Sequence, residues 1–352
     1  MADTFNLETI KIDVTILNII SELDEFKGLW KSLTLVASER YSELKKIATI
    51  ESIGSSTRIE GSKLTDAEIA TLLSDVSVKS FISRDEQEVA GYAFIMNTIF
   101  NSWGEIALTE NYIKQLHRDL LQYSIKDERH RGEYKKVDNN VVAFDKDDKK
   151  IGIIFQTASP FETPIRMQEL ISWTNANLKN PNLHKLIVIA IFVVVFLEIH
   201  PFQDGNGRLS RALTSLLLLK SGYTYVPYSS LENVIEHNKK SYYLALQSCQ
   251  KTIRSKKPNW SSWIVFFLNS LVQQKRMLEK KIALQDNTLD SLSELSLNIV
   301  KMAKLKGRVT TEEIINGLNA KRGTVKDHLR SLVQNGYLIR HGRGKGTWYS
   351  ST

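Results

Sequence analysis

Of the 352 residues only one is cysteine, Cys249. A lone thiol excludes an intramolecular disulfide framework and any metal site built from several thiolates, and it points to a reducing, cytoplasmic setting in which the residue is simply packed. The opening MADTFNLETIKID lacks a basic start followed by an apolar core, so no secretory leader is expected. No internal repeat or low-complexity tract is present. A membrane span is not expected either. The most apolar run, Leu186 to Leu197 (LIVIAIFVVVFL), falls short of the ~18 to 20 residues that cross a bilayer and reads as a helix at the centre of a soluble core. Charge is also missing from most of the chain as a net quantity. In Ser291 to Thr352 six lysines and five arginines face three glutamates and one aspartate, so that segment carries +7 of the total +8.

What is there suits a globular protein of two or three domains, with 42% hydrophobic residues. From about Asn6 to Phe100 apolar residues recur at three- and four-residue spacings, as in SELDEFKGLW and SERYSELKKIATI, which predicts helices. Thr109 is placed to cap another helix, ENYIKQLHRDLLQ, ending near Tyr123. Between Asp127 and Pro160 two β-branched runs, Val141 to Phe144 and Ile151 to Phe155, flank the turn-prone DKDDKK and predict a β-hairpin lying as a flap on a helical body. Helices resume near Pro164 and Leu183, Leu209 to Leu219 reads as buried, and Asn259 to Leu278 as a Trp-rich, then amphipathic helix. At QDNTLDSLSE the composition turns polar, which predicts a hinge into a C-terminal module.

The loop between the two buried helices, His200-Pro201-Phe202-Gln203-Asp204-Gly205-Asn206-Gly207-Arg208, gathers unusual chemistry. Gly205 and Gly207 open backbone conformations closed to other residues, just before a helix whose free N–H groups attract phosphate. Asp204 offers hard oxygen ligands to Mg²⁺, an ion commonly held by one or two carboxylates together with substrate phosphates. His200 can take a proton from an alcohol near neutral pH, and Arg208 and Arg211 can neutralise charge on a leaving pyrophosphate. Singly, each residue fits a plain connecting turn, with Asp204 and Asn206 as caps and His200 packed in a core. The full string points to nucleotide chemistry.

The string is similar to the signature of the Fic (filamentation induced by cAMP) family, HxFx(D/E)GN(G/K)RxxR, matching it at His200, Phe202, Asp204, Gly205, Asn206, Gly207, Arg208 and Arg211. The resemblance implies a protein adenylyltransferase that moves AMP from ATP to a Tyr, Ser or Thr hydroxyl of a target protein or of itself. It implies that His200 deprotonates the hydroxyl and that Asp204 holds Mg²⁺ against the α- and β-phosphates. Gly205, Asn206 and Gly207 would line the anion hole, with Asn206 at the α-phosphate, Arg208 and Arg211 on the outer phosphates and Phe202 anchoring the loop in the core. Gly207 stands where the phosphorylating branch carries lysine, which favours adenylyl transfer. The hairpin Gly132 to Pro160 resembles the family's target flap, which pairs with an extended target segment and would set Phe155, Gln156 and Thr157 over the nucleotide. It departs from the pattern in ending with ASP in place of a double proline and in having Lys135, not arginine, after Tyr134. Both departures bear on target choice more than on chemistry. NVIEHNKKSYYLAL resembles the segment that contacts the adenosine, which makes Asn238, Tyr242 and Tyr243 candidates, against the alternative that a tyrosine pair on an amphipathic helix is core.

Ser56-Thr57-Arg58-Ile59-Glu60-Gly61 matches the (S/T)xxxE(G/N) pattern that many Fic proteins carry on an inhibitory helix, here N-terminal to the core. Alone the pattern is an ordinary helix end with Gly61 just beyond it. With the catalytic string downstream it implies that Glu60 pairs with Arg211 and withdraws the charge meant for the γ-phosphate. In some relatives with this glutamate AMP is removed, and both roles for Glu60 stay open.

From Ser291 onward three helices, a short Arg308-Val309 extension and two strands around HGRGKG resemble a winged helix-turn-helix. Lys321, Arg322, Thr324, Lys326, His328 and Arg330 on the third helix and Arg343 and Lys345 on the wing suit phosphate contact with DNA; a role in dimerisation or in placing a protein partner is the alternative.

The expected fold is therefore mainly α: an N-terminal helical region over 1–108 carrying the inhibitory helix at about 45–61, a Fic core over 109–220 with its flap at 132–160, a helical extension over 221–284 completing the nucleotide site, and a winged helix over 285–352. The expected function is autoinhibited protein adenylyl transfer with ATP as substrate and Mg²⁺ as cofactor. The expected partners are a target protein presenting a hydroxyl, DNA through the C-terminal module, and a second copy in a homodimer, with no membrane. The alternative is a DNA-binding regulator that only senses nucleotide.

Overall fold

The computed structural model describes the chain apart from residues 1–4, 6–8, 11, 38–40, 75–80, 82, 145–149, 291–292, 343 and 352, and apart from the side chains of 34–37, 141–144, 150–155, 284–290, 304–305, 345 and 351. It forms two compact units, 1–278 and 279–352.

The larger unit is helical. In chain order it comprises α1 (Val14–Ala37), α2 (Ser42–Ile59), α3 (Asp66–Ser74), α4 (Arg84–Ser102) and α5 (Glu110–Leu120). A hairpin of β1 (Val141–Phe144) and β2 (Lys150–Phe155) follows, then α6 (Thr163–Asn177), α7 (Lys185–Ile199), α8 (Asn206–Lys220), α9 (Leu231–His237), α10 (Lys239–Gln250) and the start of α11 (Ser261–Asp290). The apolar run occupies α7, whose residues from Leu186 to Ile199 are all buried. A helix apolar all round needs protein on every face, and α6, α8 and α10 pack around it. Trp263 of α11 joins them by donating its indole N–H to the Ala190 carbonyl at 2.6 Å.

Local caps set the helix starts. Thr109 accepts from the Tyr112 N–H, and Ser83 and Glu86 form a reciprocal capping box at α4. Helix α2 packs against α4, α8 and α9 and ends at Glu60 and Gly61, the latter at φ +109°. The flap strands pair antiparallel, with Val142 opposite Ile153 and Phe144 opposite Lys150.

Within the expected hinge, QDNTLDSLSE, α11 continues through Asp290 and the next helix begins at Glu294, so the two helices part inside that segment. The smaller unit then contains α12 (Glu294–Lys306), β3 (Val309–Thr310), α13 (Thr311–Leu318), α14 (Arg322–Gln334), β4 (Leu338–His341) and β5 (Trp348–Ser351). Its sheet runs β3-β5-β4, antiparallel throughout, with Val309 opposite Tyr349 and Leu338 opposite Ser351. Ile299, Ile314, Val325, Leu329 and Leu332 fill its core. Thr310 caps α13 through a box with Glu313. Among the described residues no helix is long and apolar enough to cross a membrane.

Candidate active site

The loop from His200 to Gly205 leaves the buried end of α7 and enters the N-terminus of α8. His200 sits in the left-handed region at φ 53°, a conformation that costs a non-glycine residue energy and must be held by its surroundings. Gly205, at φ +78°, is also left-handed and turns the chain into α8. No side chain caps that helix, and Leu209 is the first residue to bond back, to the Gly205 carbonyl. The N–H groups of Asn206, Gly207 and Arg208 therefore lie ahead of the helical ladder, where an anion is favoured. Gly207 leaves room for a neighbouring side chain. Its backbone is ordinary helix, but a Cβ there would collide with the Glu60 carboxylate.

Asn206 is not aimed at a phosphate. Its carboxamide accepts from the Phe202 N–H at 2.9 Å and donates to the Phe202 carbonyl at 2.7 Å, closing the loop on itself. Phe202, fully buried, stacks on His117 with ring centroids 3.8 Å apart. The Gly132 N–H donates to His117 Nδ1 at 2.8 Å, so Nε2 carries the proton and donates to the Asp204 carbonyl 3.0 Å away. Burial pushes the His117 imidazole down to about 4, keeping it neutral.

The root of the flap grips the loop from the other side. Lys135 Nζ donates to Ile199 O, Asn139 Oδ1 and Thr157 Oγ1 at 2.7 to 3.0 Å, and Asn139 donates to the carbonyls of His200 and Phe202. Burial lowers this ammonium to about 8. Thr157 is thus a buried anchor and does not lie over the site, whereas Gln156 is exposed; the Phe155 side chain lies outside the described residues.

His200 Nδ1 lies 3.3 Å from the Leu197 carbonyl, which leaves Nε2 as the basic position. Burial, aided by Lys135, lowers its imidazole to about 4, so the ring is a neutral proton acceptor at pH 7. Burial would raise Asp204, but Arg208, the Gly205 N–H and Arg84 outweigh it and hold the carboxylate below its usual range. Arg208 is 2% exposed and lies between two acids, Asp204 at 3.3 Å and Glu88 at 3.2 Å. Its Nε and Nη1 are buried without a hydrogen-bond partner, so the two acids do not use up its donors.

Across the loop, α2 brings Ser56 and Glu60 to Arg211. The guanidinium donates from Nε to Ser56 Oγ at 2.8 Å and from Nη2 to Ser56 O at 2.9 Å and Glu60 Oε1 at 2.8 Å. Burial opposes both charges, yet each stabilises the other: Glu60 is lowered by Arg211, Arg208 and His200, and Arg211 is raised by Glu60. Tyr242 is buried against Trp263 and also reaches Arg211, while its neighbour Tyr243 is 42% exposed. Asn238, between α9 and α10, donates its amide to Val234 O on α9 and to Gln273 Oε1 on α11. The residues that sequence reading misses are the supports. Lys135 is visible only as a departure from arginine, and His117, Asn139, Arg84 and Glu88 carry no local signal, because distant elements deliver them.

Residues 107–218, which hold the loop, α7, α8 and the flap, match the Fic/DOC family. They form a Fic/DOC domain. The chain is 31% identical over 206 residues to a protein adenylyltransferase Fic of Drosophila mojavensis, covering 58% of this chain and 38% of that one. With the namesake of Drosophila melanogaster it shares 32% over 181 residues, 51% of this chain and 34% of the other. It thus spans less than two fifths of the length of these relatives. A Fic family protein of Desulfovibrio desulfuricans G20 shares the fold along 98% of both chains, with a TM-score of 0.63 and 21% identity. A Fic domain containing signaling protein of Bacteroides thetaiotaomicron aligns over 73% of this chain and 97% of its own at 0.57 and 24%. The Fic domain here therefore has the family's helical fold, with the signature loop between its two most buried helices.

Proposed function

We propose that the chain is a protein adenylyltransferase, moving AMP from ATP to a protein hydroxyl, and that Glu60 holds this activity back. The observation that carries the reading is the position of the Glu60 carboxylate: it lies against Gly207 in the first turn of α8 and on Arg211, where a phosphate of the nucleotide would be received. Two relatives named protein adenylyltransferase support the chemistry.

In this reading His200 Nε2 takes the proton of the target hydroxyl as its oxygen bonds to the α-phosphorus. The bond to the bridging oxygen breaks, and pyrophosphate leaves with the electron pair. The first-turn N–H groups of α8 receive charge on the phosphates, and Arg211, once released by Glu60, receives the outer ones. Asp204 fits a Mg²⁺ role: it is ionised, 29% exposed, and held only by donors. Among the described residues no cluster of three acids, histidines or cysteines could hold an ion, which suits a cation shared between one carboxylate and substrate phosphates. Mg²⁺ would neutralise phosphate charge there. Buried Cys249, its thiol pushed up to about 12 by burial, fits a packing role in a reducing cytoplasm.

Glu60→Gly protein given ATP labelled on the α- or the γ-phosphate tests the reaction. Label on protein from the α-position alone is expected; γ-label on protein would make it a phosphoryl transferase. Reversible ATP binding with neither label would leave a nucleotide sensor acting through the smaller unit.

The smaller unit supports a winged-helix reading, with α14 as the element offered to DNA. Lys321, Arg322, Lys326 and Arg330 are exposed on it, whereas His328 turns inward to Ser296 at 2.6 Å and leaves the proposed set. Arg343 and the Lys345 side chain lie outside the described residues.

A further inference from the structure

The Glu60 carboxylate reaches Arg211 only because the last turn of α2 stands in one place, and that turn is held by a residue whose hydrogen bonds go to α9, α3 and the segment between α2 and α3. Arg58 lies two positions before Glu60. Its guanidinium donates from Nε and Nη2 to both carboxylate oxygens of Glu236 on α9, at 2.7 and 3.0 Å. Its remaining nitrogen donates to Asp66 at the start of α3, 2.8 Å away, and to the Leu64 carbonyl at 3.1 Å. One residue further on, Lys239 of α10 donates to the Ile59 carbonyl at 2.7 Å, so a cation closes the carbonyl end of the helix. Gly54, a turn earlier, fits the same arrangement: a Cβ there would collide with both the Asp66 carboxylate and Arg58 Nη1.

We infer that Arg58 is a positioning residue for the brake: with Glu236 and Lys239 it latches the end of α2 to the α9–α10 segment, and the strength of that latch sets how firmly Glu60 is seated. This rests on the reading of Glu60 as inhibitory. A bidentate arginine–carboxylate pair fixes direction as well as distance, and the side chains of Arg58 and Glu236 are only 22% and 24% exposed, so solvent competes weakly for either. Without the pair, a helix end whose final carbonyls depend on outside partners frays. Residues 60 to 62 would fray with it, since the N–H groups of Gly61 and Ser62 bond back to Arg58 and Thr57. Because Lys239 sits at the start of α10 and bonds the end of α2, a ligand or partner displacing α10 would reach the brake through the latch.

The test compares the full chain as wild type, Arg58→Ala, Glu236→Gln, Lys239→Met and Glu60→Gly, each with Mg²⁺ and α-labelled ATP, alone and with cell extract. With Glu60 in place, the latch variants should transfer label faster than wild type by about tenfold, the low end of what losing a charge-assisted pair does to an equilibrium. Amide exchange at residues 60–62 should speed up in parallel. Added to Glu60→Gly, Arg58→Ala should give no further gain. Misfolding cannot mimic this, because it lowers transfer; should Arg58→Ala not fold, Glu236→Gln and Lys239→Met carry the test. Activation by Glu60→Gly alongside unchanged transfer and exchange in the latch variants would overturn the latch and leave the brake standing. No activation by Glu60→Gly would overturn both.

Discussion

Asn206 and His117 are among the least showy residues of the site, and both do their work by holding the loop. The Asn206 carboxamide replaces backbone partners for Phe202, so Asn206→Ala removes two buried hydrogen bonds and should cost about 2 kcal/mol of stability together with activity, measurable by denaturant unfolding. His117 is buried neutral, its imidazole lowered to about 4 from an ordinary 6.5. The unfolded chain therefore binds a proton there at a higher pH than the folded one. Stability from this group is complete above pH 6.5 and is lost as pH falls through 4, by about 3 kcal/mol; His117→Asn should flatten that limb of an acid unfolding curve. His200 obeys the same sign for function: transfer by Glu60→Gly protein should hold to below pH 6 and fail as pH nears 4. At this scale the sequence was most legible where a residue's chemistry is its own. The Glu60–Arg211 pair is the contact the string implied, while Asn206 and Thr157 have side chains taken up by neighbours that no local pattern reveals.

Elements decide how rigid the loop is. Buried α7 and α8 are unmistakable in the sequence because an apolar run of that length can only be core, and the flap strands follow their β-branched runs. At QDNTLDSLSE, α11 runs to Asp290 and α12 starts at Glu294, so most of that polar segment is helix, which residues other than glycine and proline allow. What could not be read is the tie between elements. The flap root and the loop are joined by Lys135, at once to Ile199, Asn139 and Thr157. Lys135→Met keeps the stem and loses the ties. In Glu60→Gly protein it should leave ATP affinity within a few-fold by calorimetry and reduce transfer about tenfold or more, since misplacing a reacting group costs rate before it costs binding. Equal losses of both would mean that Lys135 only supports the fold.

The whole molecule combines a Fic/DOC domain with a small basic unit that holds most of the chain's net charge. If α14 meets DNA, retention should fall steeply as salt rises, and Lys326→Ala or Arg330→Ala should shallow that dependence by about one counterion each; salt-independent retention would assign the unit to a protein partner. None of this alters the central claim, that a carboxylate on α2 gates a His200-dependent transfer of AMP. The most direct measurement is covalent label from α-labelled ATP, with Mg²⁺ and cell extract, in wild type, Glu60→Gly and Glu60→Gly/His200→Ala. Strong label in the single variant, little in wild type and none in the double variant is the predicted result. Equal label in wild type and Glu60→Gly, or label that survives loss of His200, would contradict it.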